Sequence, residues 1–305
     1  MQPALQLRGL SKSFGSVTAL TDLSVNIPKG AVFGLLGPNG AGKSTTFAIL
    51  CGWLKPSKGS SDILGVPSSK LHTLRGRVAV LPQDAAFPHK LTLIRTLAYL
   101  GELMGMSKAD ARREAFERLE QVGLSDAGNR LGSQLSHGMG KRAGLAQALM
   151  GSPDVLLLDE PTAGLDPNNS RRIKDLIAAQ APRATILISS HNLAEIQEIC
   201  THGVILDHGR MTAAGTISEL TRRGAEITVE IDPSSPTPIE QLKNEFGENN
   251  IETPKPEQLK IIFESERDPA EVIAEAMRIL LDANTRVLGI HRGTSLESAF
   301  LELTQ

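Results

Sequence analysis

The stretch GPNGAGKS, residues 37–44, constrains the fold of this chain more than any other feature. It follows a predicted strand and opens a segment whose apolar spacing predicts a helix. The pattern G-x-x-x-x-G-K-[ST] in that context is typical of a phosphate-binding loop, because its glycines let several N–H groups point at one phosphate. The helix N-terminus adds positive potential at the same place. The residues predicted to bind the nucleotide here are Gly37, Pro38, Asn39, Gly40, Ala41, Gly42, Lys43, Ser44 and Thr45.

Within that loop two side chains have separate predicted tasks. Lys43 is expected to reach the β- and γ-phosphates, and the Ser44 hydroxyl to ligate Mg²⁺. ATP and Mg²⁺ are therefore the expected cofactors. The alternative is a glycine-rich turn that happens to precede a helix, which the Lys-Ser pair in register disfavours.

A second motif, DVLLLDE at residues 154–160, is an apolar strand that ends in two acids. Ligands of α/β folds bind at the carboxyl ends of the strands, where these acids are expected to lie. Because successive strand residues face opposite ways, we expect Asp159 to hold Mg²⁺ and Glu160 to polarise the attacking water. Without a phosphate-binding loop in the same chain, the pair would be interpreted as a solvated strand end.

The order of predicted elements indicates an α/β fold with two domains. Strands alternate with helices, which predicts a mostly parallel sheet, and a helical insert interrupts them. We place an ATPase domain at residues 1–222, with a helical subdomain at about 84–150. Residues 223–305 are predicted to form a small α+β accessory domain. Its order β-α-β-β-α-β, followed by a helix over residues 295–303, fits a ferredoxin-like fold.

Composition excludes several classes of protein. No run of eighteen or more apolar residues is present, and the N-terminus lacks an apolar signal segment, so neither a membrane span nor a signal peptide is expected. The two cysteines have no metal-binding or redox spacing, which favours a reduced, cytoplasmic protein. A formal net charge of −2 with 3% aromatic residues argues against a nucleic-acid partner.

Taken together, the motifs resemble those of the ATP-binding subunit of an ABC transporter. The phosphate-binding loop is GPNGAGKST, and Gln83 in VLPQD fits the family's Q-loop. LSHGM at 135–139 fits the signature motif, and AGLD at 163–166 fits the D-loop. His191 in LISSHN fits the switch histidine. The resemblance implies a P-loop NTPase fold with a mixed sheet and a helical subdomain.

The resemblance also implies roles for single residues. Gln83 would contact Mg²⁺ or the attacking water, and His191 would sense the γ-phosphate. Phe14 in SFG would stack on adenine, and Asp166 would act across a dimer interface.

The signature stretch has two interpretations that do not exclude each other. By resemblance, Ser136 and Gly138 would contact the γ-phosphate held by a second subunit, in a head-to-tail dimer. Considered alone, the stretch is an ordinary helix start with Ser136 as the N-cap. His137 and Met139 depart from the commonest family pattern, which has Gly and Gln there.

The expected partners are a second ATPase subunit and a separate transmembrane permease, at the cytoplasmic face of the inner membrane. The C-terminal GTSLESAFLELT also resembles ATPases of type-two exporters, of the drug, sodium and gliding-system kinds, which favours export. The first alternative is a soluble ABC ATPase that acts on ribosomes or nucleic acid. The second is a module that binds nucleotide without hydrolysis, which the presence of Glu160 and His191 disfavours.

Overall fold

A computed structural model describes residues 3–221, 225–263 and 267–293. The chain divides into two compact units, one ending at Ala214 and the other beginning at Gly215. No helix in the described part of the chain combines the length and the apolar character that crossing a bilayer requires.

The first unit alternates strands and helices along most of its length. Its strands, the last of which runs two residues into the second unit, are β1 Leu5–Phe14, β2 Val17–Ile27, β3 Val32–Leu36, β4 Lys58–Ile63, β5 Val66–Pro67, β6 Val78–Leu81, β7 Val155–Asp159, β8 Thr185–Ser190, β9 His202–Asp207 and β10 Arg210–Thr216. Its α-helices are α1 Lys43–Leu50, α2 Leu93–Leu103, α3 Lys108–Gln121, α4 His137–Leu149, α5 Pro167–Gln180 and α6 Leu193–Ile199. Short 3₁₀ segments lie at Ser68–Leu74, Ser125–Ala127 and Gly132–Gln134.

Two sheets organise this unit. Strands β2, β1, β4 and β5 form an antiparallel sheet in that order. The second sheet has the order β10-β9-β3-β8-β7-β6, and its β9-β3-β8-β7-β6 portion is parallel. The expected mixed architecture is therefore confirmed.

The parallel sheet places the motifs at one edge. Register pairs Leu36 with Ser190 and Asp159 with Ser189. Because the carboxyl ends of parallel strands share an edge, the segments that follow β3, β7 and β8 start side by side. The strands are buried on both faces, as the burial of all five residues of β3 shows.

The helical insert consists of two helices before α4. Helix α2 ends where Gly105 adopts a φ of 98°, and α3 begins with Ser107, whose hydroxyl oxygen accepts the Asp110 N–H at 3.1 Å. The insert has its own apolar core, centred on Leu97, Leu119 and Ala143.

Three strands, β4 to β6, lie in a region where the sequence predicted no element. Strand β4, KGSSDI, is largely polar and exposed at its start, so it has no apolar alternation to detect. It is held by antiparallel pairing with β1, in which Leu5 lies opposite Ile63. Pairing partners distant in sequence determine this strand.

Beyond the first unit, the structure has helix α7 Ile217–Thr221, strand β11 Ala225–Ile231, helix α8 Ile239–Phe246, a 3₁₀ turn Glu248–Asn250, strands β12 Ile251–Lys255 and β13 Gln258–Phe263, helix α9 Pro269–Asp282 and strand β14 Val287–Gly293. The sheet order is β12-β13-β11-β14, and neighbouring strands are antiparallel. This is the arrangement expected of a ferredoxin-like domain. The helix predicted over residues 295–303 lies outside the described residues.

Candidate nucleotide-binding site

The loop after β3 can adopt its shape only with glycine at one key position. Gly42 precedes α1 with a φ of 101°, in the left-handed region. A Cβ added there would lie 2.7 Å from the carbonyl oxygen of Ala19 and 2.6 Å from the Leu20 side chain. The backbone at this position is therefore pressed against β2, which fixes the start of α1.

Lys43 is the buried cation of the loop. Its Nζ donates to the carbonyl oxygens of Gly37, at 2.7 Å, and Pro38, at 3.2 Å, and the residue is 6% exposed. Burial lowers the pKa of the Lys43 ammonium, while Glu160 and Asp159 oppose that effect. The ammonium thus binds two carbonyl oxygens of its own loop and lies close to the two acids.

A cavity of about 240 Å³ opens beside Lys43. The sequence-predicted residues that line it are Asn39, Gly40, Gly42, Lys43, Ser44, Thr45, Gln83, Glu160 and His191. Ala19, a half-buried residue of β2, also lines the cavity and was not predicted. Gly37, Pro38 and Ala41 are absent from this lining; the first two supply the carbonyls that Lys43 contacts, and Ala41 is buried.

Asp159 ends β7 and is oriented by the neighbouring strand. The Ser189 hydroxyl donates to Asp159 Oδ1 and accepts the N–H of Glu160 at 3.0 Å. Burial raises the pKa of the Asp159 carboxyl, which the Ser189 hydrogen bond partly offsets. Ser189 is fully buried and connects both acids, a role that the sequence did not reveal.

Glu160 has an unusual backbone and a constrained side chain. Its φ is 48°, a left-handed value that costs a non-glycine residue roughly 1 to 3 kcal/mol. Its Oε2 lies 2.8 Å from Nδ1 of His191, and its Oε1 lies 3.8 Å from Nζ of Lys43. Because an ionised carboxylate only accepts hydrogen bonds, Nδ1 of His191 carries the proton in this contact.

The signature and D-loop residues lie outside that cavity. The Ser136 hydroxyl oxygen accepts the Met139 N–H at 3.3 Å, so the helix-cap interpretation of α4 is confirmed. Asp166 caps α5 by accepting the Asn169 N–H at 3.0 Å, a contact that lowers the pKa of the Asp166 carboxyl. A Cβ on Gly138 would lie 3.6 Å from the Leu165 side chain, an ordinary contact distance.

The two unusual signature residues both have neighbours. The His137 ring lies against Gly164 so closely that a Cβ there would be 2.9 Å from His137 Cε1. Met139 Sδ lies 3.8 Å from Arg130 Nη1. These side chains therefore pack within the subunit.

Phe14 is half exposed at the end of β1 and does not line the 240 Å³ cavity. The Nζ of Lys12 lies 5.0 Å from its ring centroid, a cation–π contact. Its face is thus partly engaged by a cation on the same strand.

The oxygen atoms near Lys43 suit magnesium. Asp159 offers a carboxylate, Ser44 an exposed hydroxyl and Gln83 an amide oxygen, all of which are hard ligands of the kind that Mg²⁺ prefers. Ser189 engages one carboxylate oxygen of Asp159 and leaves the other available. The residues present therefore fit a magnesium ion.

Comparison with known proteins agrees with this geometry. Residues 20–163 match the ABC transporter family. The daunorubicin/doxorubicin resistance ATP-binding protein DrrA of Streptomyces peucetius is 34% identical, over 99% of this chain and 92% of that protein. The Nod factor export ATP-binding protein I of Cupriavidus pinatubonensis is 33% identical, over 98% of this chain and 90% of its own.

Among solved structures, an ATP-binding subunit of an ABC transporter superposes with a TM-score of 0.66 at 29% identity. The match covers 72% of this chain and 92% of that one. With its phosphate-binding loop, paired acids and capped signature helix, the chain belongs to the ATP-binding subunits of ABC transporters, which are ATP hydrolases.

Proposed function

We propose that this chain hydrolyses ATP in the cavity beside Lys43 and thereby drives a separate membrane permease that works as an exporter. The observation that carries the proposal is the meeting of Lys43, Glu160 and His191 around one cavity of about 240 Å³. The signature residue Ser136 lies outside that cavity and is exposed, which leaves it available to complete the site of a second copy. Subunits of this family work with transmembrane components and form dimeric cassettes.

The chemistry follows from charges and hydrogen bonds. The loop amides and the Lys43 ammonium neutralise the β- and γ-phosphates, which is the main task in phosphoryl transfer. Glu160, oriented by His191, accepts the proton of the water that attacks the γ-phosphate. Asp159, Ser44 and Gln83 would hold Mg²⁺, which supplies further neutralisation of phosphate charge. Phe14 is proposed to stack on adenine.

In this proposal the second copy contributes the N-terminus of its α4 to the nucleotide site. Helix α4 is thirteen residues long, and Ser136 at its cap is exposed. A helix N-terminus attracts anions, and Gly138 lets a phosphate approach the backbone. In a head-to-tail pair, this end of α4 faces the γ-phosphate bound by the other copy, with Asp166 at the same interface.

Export is the direction that the relatives favour. One is named for resistance to daunorubicin and doxorubicin, and another for export of Nod factor. The similarity covers nearly the whole chain, including the small second unit. We place the chain at the cytoplasmic face of the membrane, where ATP is available, against transmembrane subunits. The alternative of action on ribosomes or nucleic acid is not favoured by these relatives.

A mixing experiment tests the head-to-tail site. One chain carries Lys43→Ala, which removes the phosphate-binding cation, and the other carries Gly138→Asp, which places a carboxylate at the proposed phosphate contact. Each variant alone has two defective sites per dimer. A mixed dimer has one intact site, so an equimolar mixture should recover activity, up to about a quarter of the parental rate with random two-fold pairing.

The controls are built into the mixture. Gly138→Asp should fold, since the added side chain starts at an ordinary distance from Leu165. Each variant alone, assayed at twice the concentration, should show no recovery of activity. Absence of recovery in the mixture, with both chains folded, would contradict the shared site.

The transport proposal has a separate test. The chain is expressed with a candidate multi-span membrane protein, and ATP-dependent uptake of daunorubicin, the drug named in one relative, is measured in inside-out vesicles. Co-purification with ribosomes, and not with a membrane protein, would contradict the exporter proposal.

A further inference from the structure

Lys141 is a cation buried inside the first unit. It is 5% exposed and lies on the second turn of α4. Its Nζ donates to the carbonyl oxygen of Gln83 at 2.6 Å and to that of Glu160 at 3.0 Å. Both partners are main-chain groups, so the contacts fix the position of the backbone without engaging the Glu160 carboxylate.

The two carbonyls belong to segments that line the nucleotide cavity. Gln83 follows β6, and Glu160 follows β7 with its left-handed backbone. The Glu160 N–H is held by the Ser189 hydroxyl at 3.0 Å, and its carbonyl by Lys141. The main chain that carries the catalytic carboxylate is therefore held on both sides, once from β8 and once from α4.

Burying an ammonium group costs desolvation free energy, so its presence in a core calls for compensating contacts. Burial lowers the pKa of Lys141, and the nearby charges of Asp84, Asp159 and Glu160 oppose that effect. An apolar side chain of similar length would avoid the desolvation cost of the charge. Its retention in the core is explained by the two carbonyls that no apolar residue could hold.

Helix α4 also carries the proposed contact to the other nucleotide. Ser136 caps the helix five residues before Lys141, about 7.5 Å along the axis at 1.5 Å per residue. Because a helix moves as a stiff rod over so short a length, a shift at its N-terminus also shifts the Lys141 ammonium.

We propose that Lys141 is a positioning residue, which sets the main chain of Gln83 and Glu160 from α4. Phosphate binding at the start of α4 shifts the helix, and Lys141 passes that shift to the main chain that carries the catalytic carboxylate of the same chain. Nucleotide binding at one site thereby changes the geometry of the other. The inference rests on the proposed function, in which Glu160 activates water and Ser136 faces the second copy's nucleotide.

The test compares Lys141→Met with Lys141→Arg in the full chain. Lys141→Met keeps the side-chain length and loses both hydrogen bonds, so the Glu160 main chain is held only from the Ser189 side. Misplacement of a catalytic group by about 1 Å costs on the order of 10²-fold in rate, and we expect kcat to fall by about that factor. The Kd for ATP should stay within about threefold, because Lys43 and the loop are unchanged. Lys141→Arg keeps a side chain that can donate to both carbonyls and should retain most of the parental kcat.

Arg118→Met is the matched control. Arg118 is a half-buried cation of α3 that donates to Glu114 at 2.9 Å and to Ser152 at 3.1 Å, away from the nucleotide cavity. It should lose stability but keep kcat within about twofold. If Arg118→Met loses kcat as far as Lys141→Met, the effect is structural and the inference is overturned.

Four further outcomes decide the matter. A kcat within twofold of the parent in Lys141→Met overturns the inference. If Lys141→Met does not fold, Lys141→Gln replaces it, since its amide is a shorter donor. Unchanged kcat in Lys141→Arg together with a loss of kcat in Lys141→Gln supports the inference. Glu160→Gln is measured in parallel: parental turnover there overturns the proposed function itself, whereas loss there with normal Lys141→Met turnover overturns only this inference.

Discussion

Nδ1 of His191 lies 2.8 Å from Oε2 of Glu160, while the other carboxylate oxygen faces Lys43 at 3.8 Å. The carboxylate is nearly buried, whereas the His191 side chain is 55% exposed. A half-exposed ring therefore orients a nearly buried acid, and each partner can be tested separately.

Replacing His191 with alanine should free the Glu160 carboxylate from its orientation. We expect turnover to fall by about 10²-fold, the cost of a misplaced catalytic group. His191→Gln, whose amide can donate to the carboxylate, should recover part of the loss. Steady-state ATPase rates measure the effect, with the exposed His208→Ala as control. A rate in His191→Ala within twofold of the parent would refute this orienting role.

Glu160→Gln removes the base and keeps the shape of the side chain. Turnover should fall by about 10² to 10⁴-fold, as expected for loss of a general base. ATP should still bind, because Lys43 and the loop amides remain in place. Calorimetric titration of ATP and a phosphate-release assay separate binding from chemistry. Hydrolysis at the parental rate would show that another group activates the water.

Ser189→Ala should disturb both acids at once. The change leaves Asp159 without the Ser189 donor, and the Glu160 N–H keeps its 3.3 Å contact to the Ser189 carbonyl oxygen. We expect the free energy of unfolding to fall by about 1 to 3 kcal/mol, the cost of removing a partner from a buried charged group, and turnover to fall with it. Ser190→Ala is the matched control, since the neighbouring hydroxyl accepts the Asn192 N–H at 3.0 Å and contacts neither acid in the described part of the chain. Equal loss of turnover in the two variants would argue against a specific role for Ser189.

Asp159→Asn should make the nucleotide-free protein more stable. Burial raises the pKa of Asp159 above the ordinary value of 3.8, so the folded state binds this proton more tightly than the unfolded chain. The free energy of unfolding contributed by this group therefore falls as the pH rises from 3.8 through the raised value, and Asp159 opposes folding at neutral pH. A neutral asparagine removes that opposition and should add about 0.5 to 2 kcal/mol at pH 7.

Urea unfolding at pH 7 and at pH 3 measures this effect. The gain should shrink at pH 3, where both states of the parent are protonated, and Mg²⁺-dependent ATP binding should weaken at pH 7. Asp154→Asn, which alters an exposed acid paired with Arg77 at 2.7 Å, should change stability by less than about 0.5 kcal/mol. No gain at pH 7 in Asp159→Asn would contradict the burial argument.

Much of the fold and part of the site could be predicted because their signals are local in sequence. The glycines of the loop at 37–44 determine the shape of that loop locally. The Asp159–Glu160 pair lies at the end of an apolar strand, which predicts its place at the edge of the sheet. The antiparallel sheet with helices in the C-terminal region was also predicted, since α8 and α9 have clear apolar spacing between short strands. The roles assigned to the site residues stay predictions.

Other parts depend on which elements meet in space. Ser189 contacts Asp159 only because β7 and β8 pair in that register. Lys141 and Ala19 reach the site from α4 and β2, and neither residue type indicates such a role. Strand β4 is polar and takes its structure from β1. These features follow from long-range packing, which a one-dimensional pattern does not encode.

The left-handed backbone of Glu160 sets a limit on engineering this chain. Glycine or asparagine would adopt that conformation more easily, and each would relieve the strain while removing the carboxylate. A search for heat-resistant variants at this position would thus select replacements that cannot turn over ATP in the proposed way. Thermostable forms of the enzyme must therefore be sought elsewhere in the fold, with residue 160 excluded from the library.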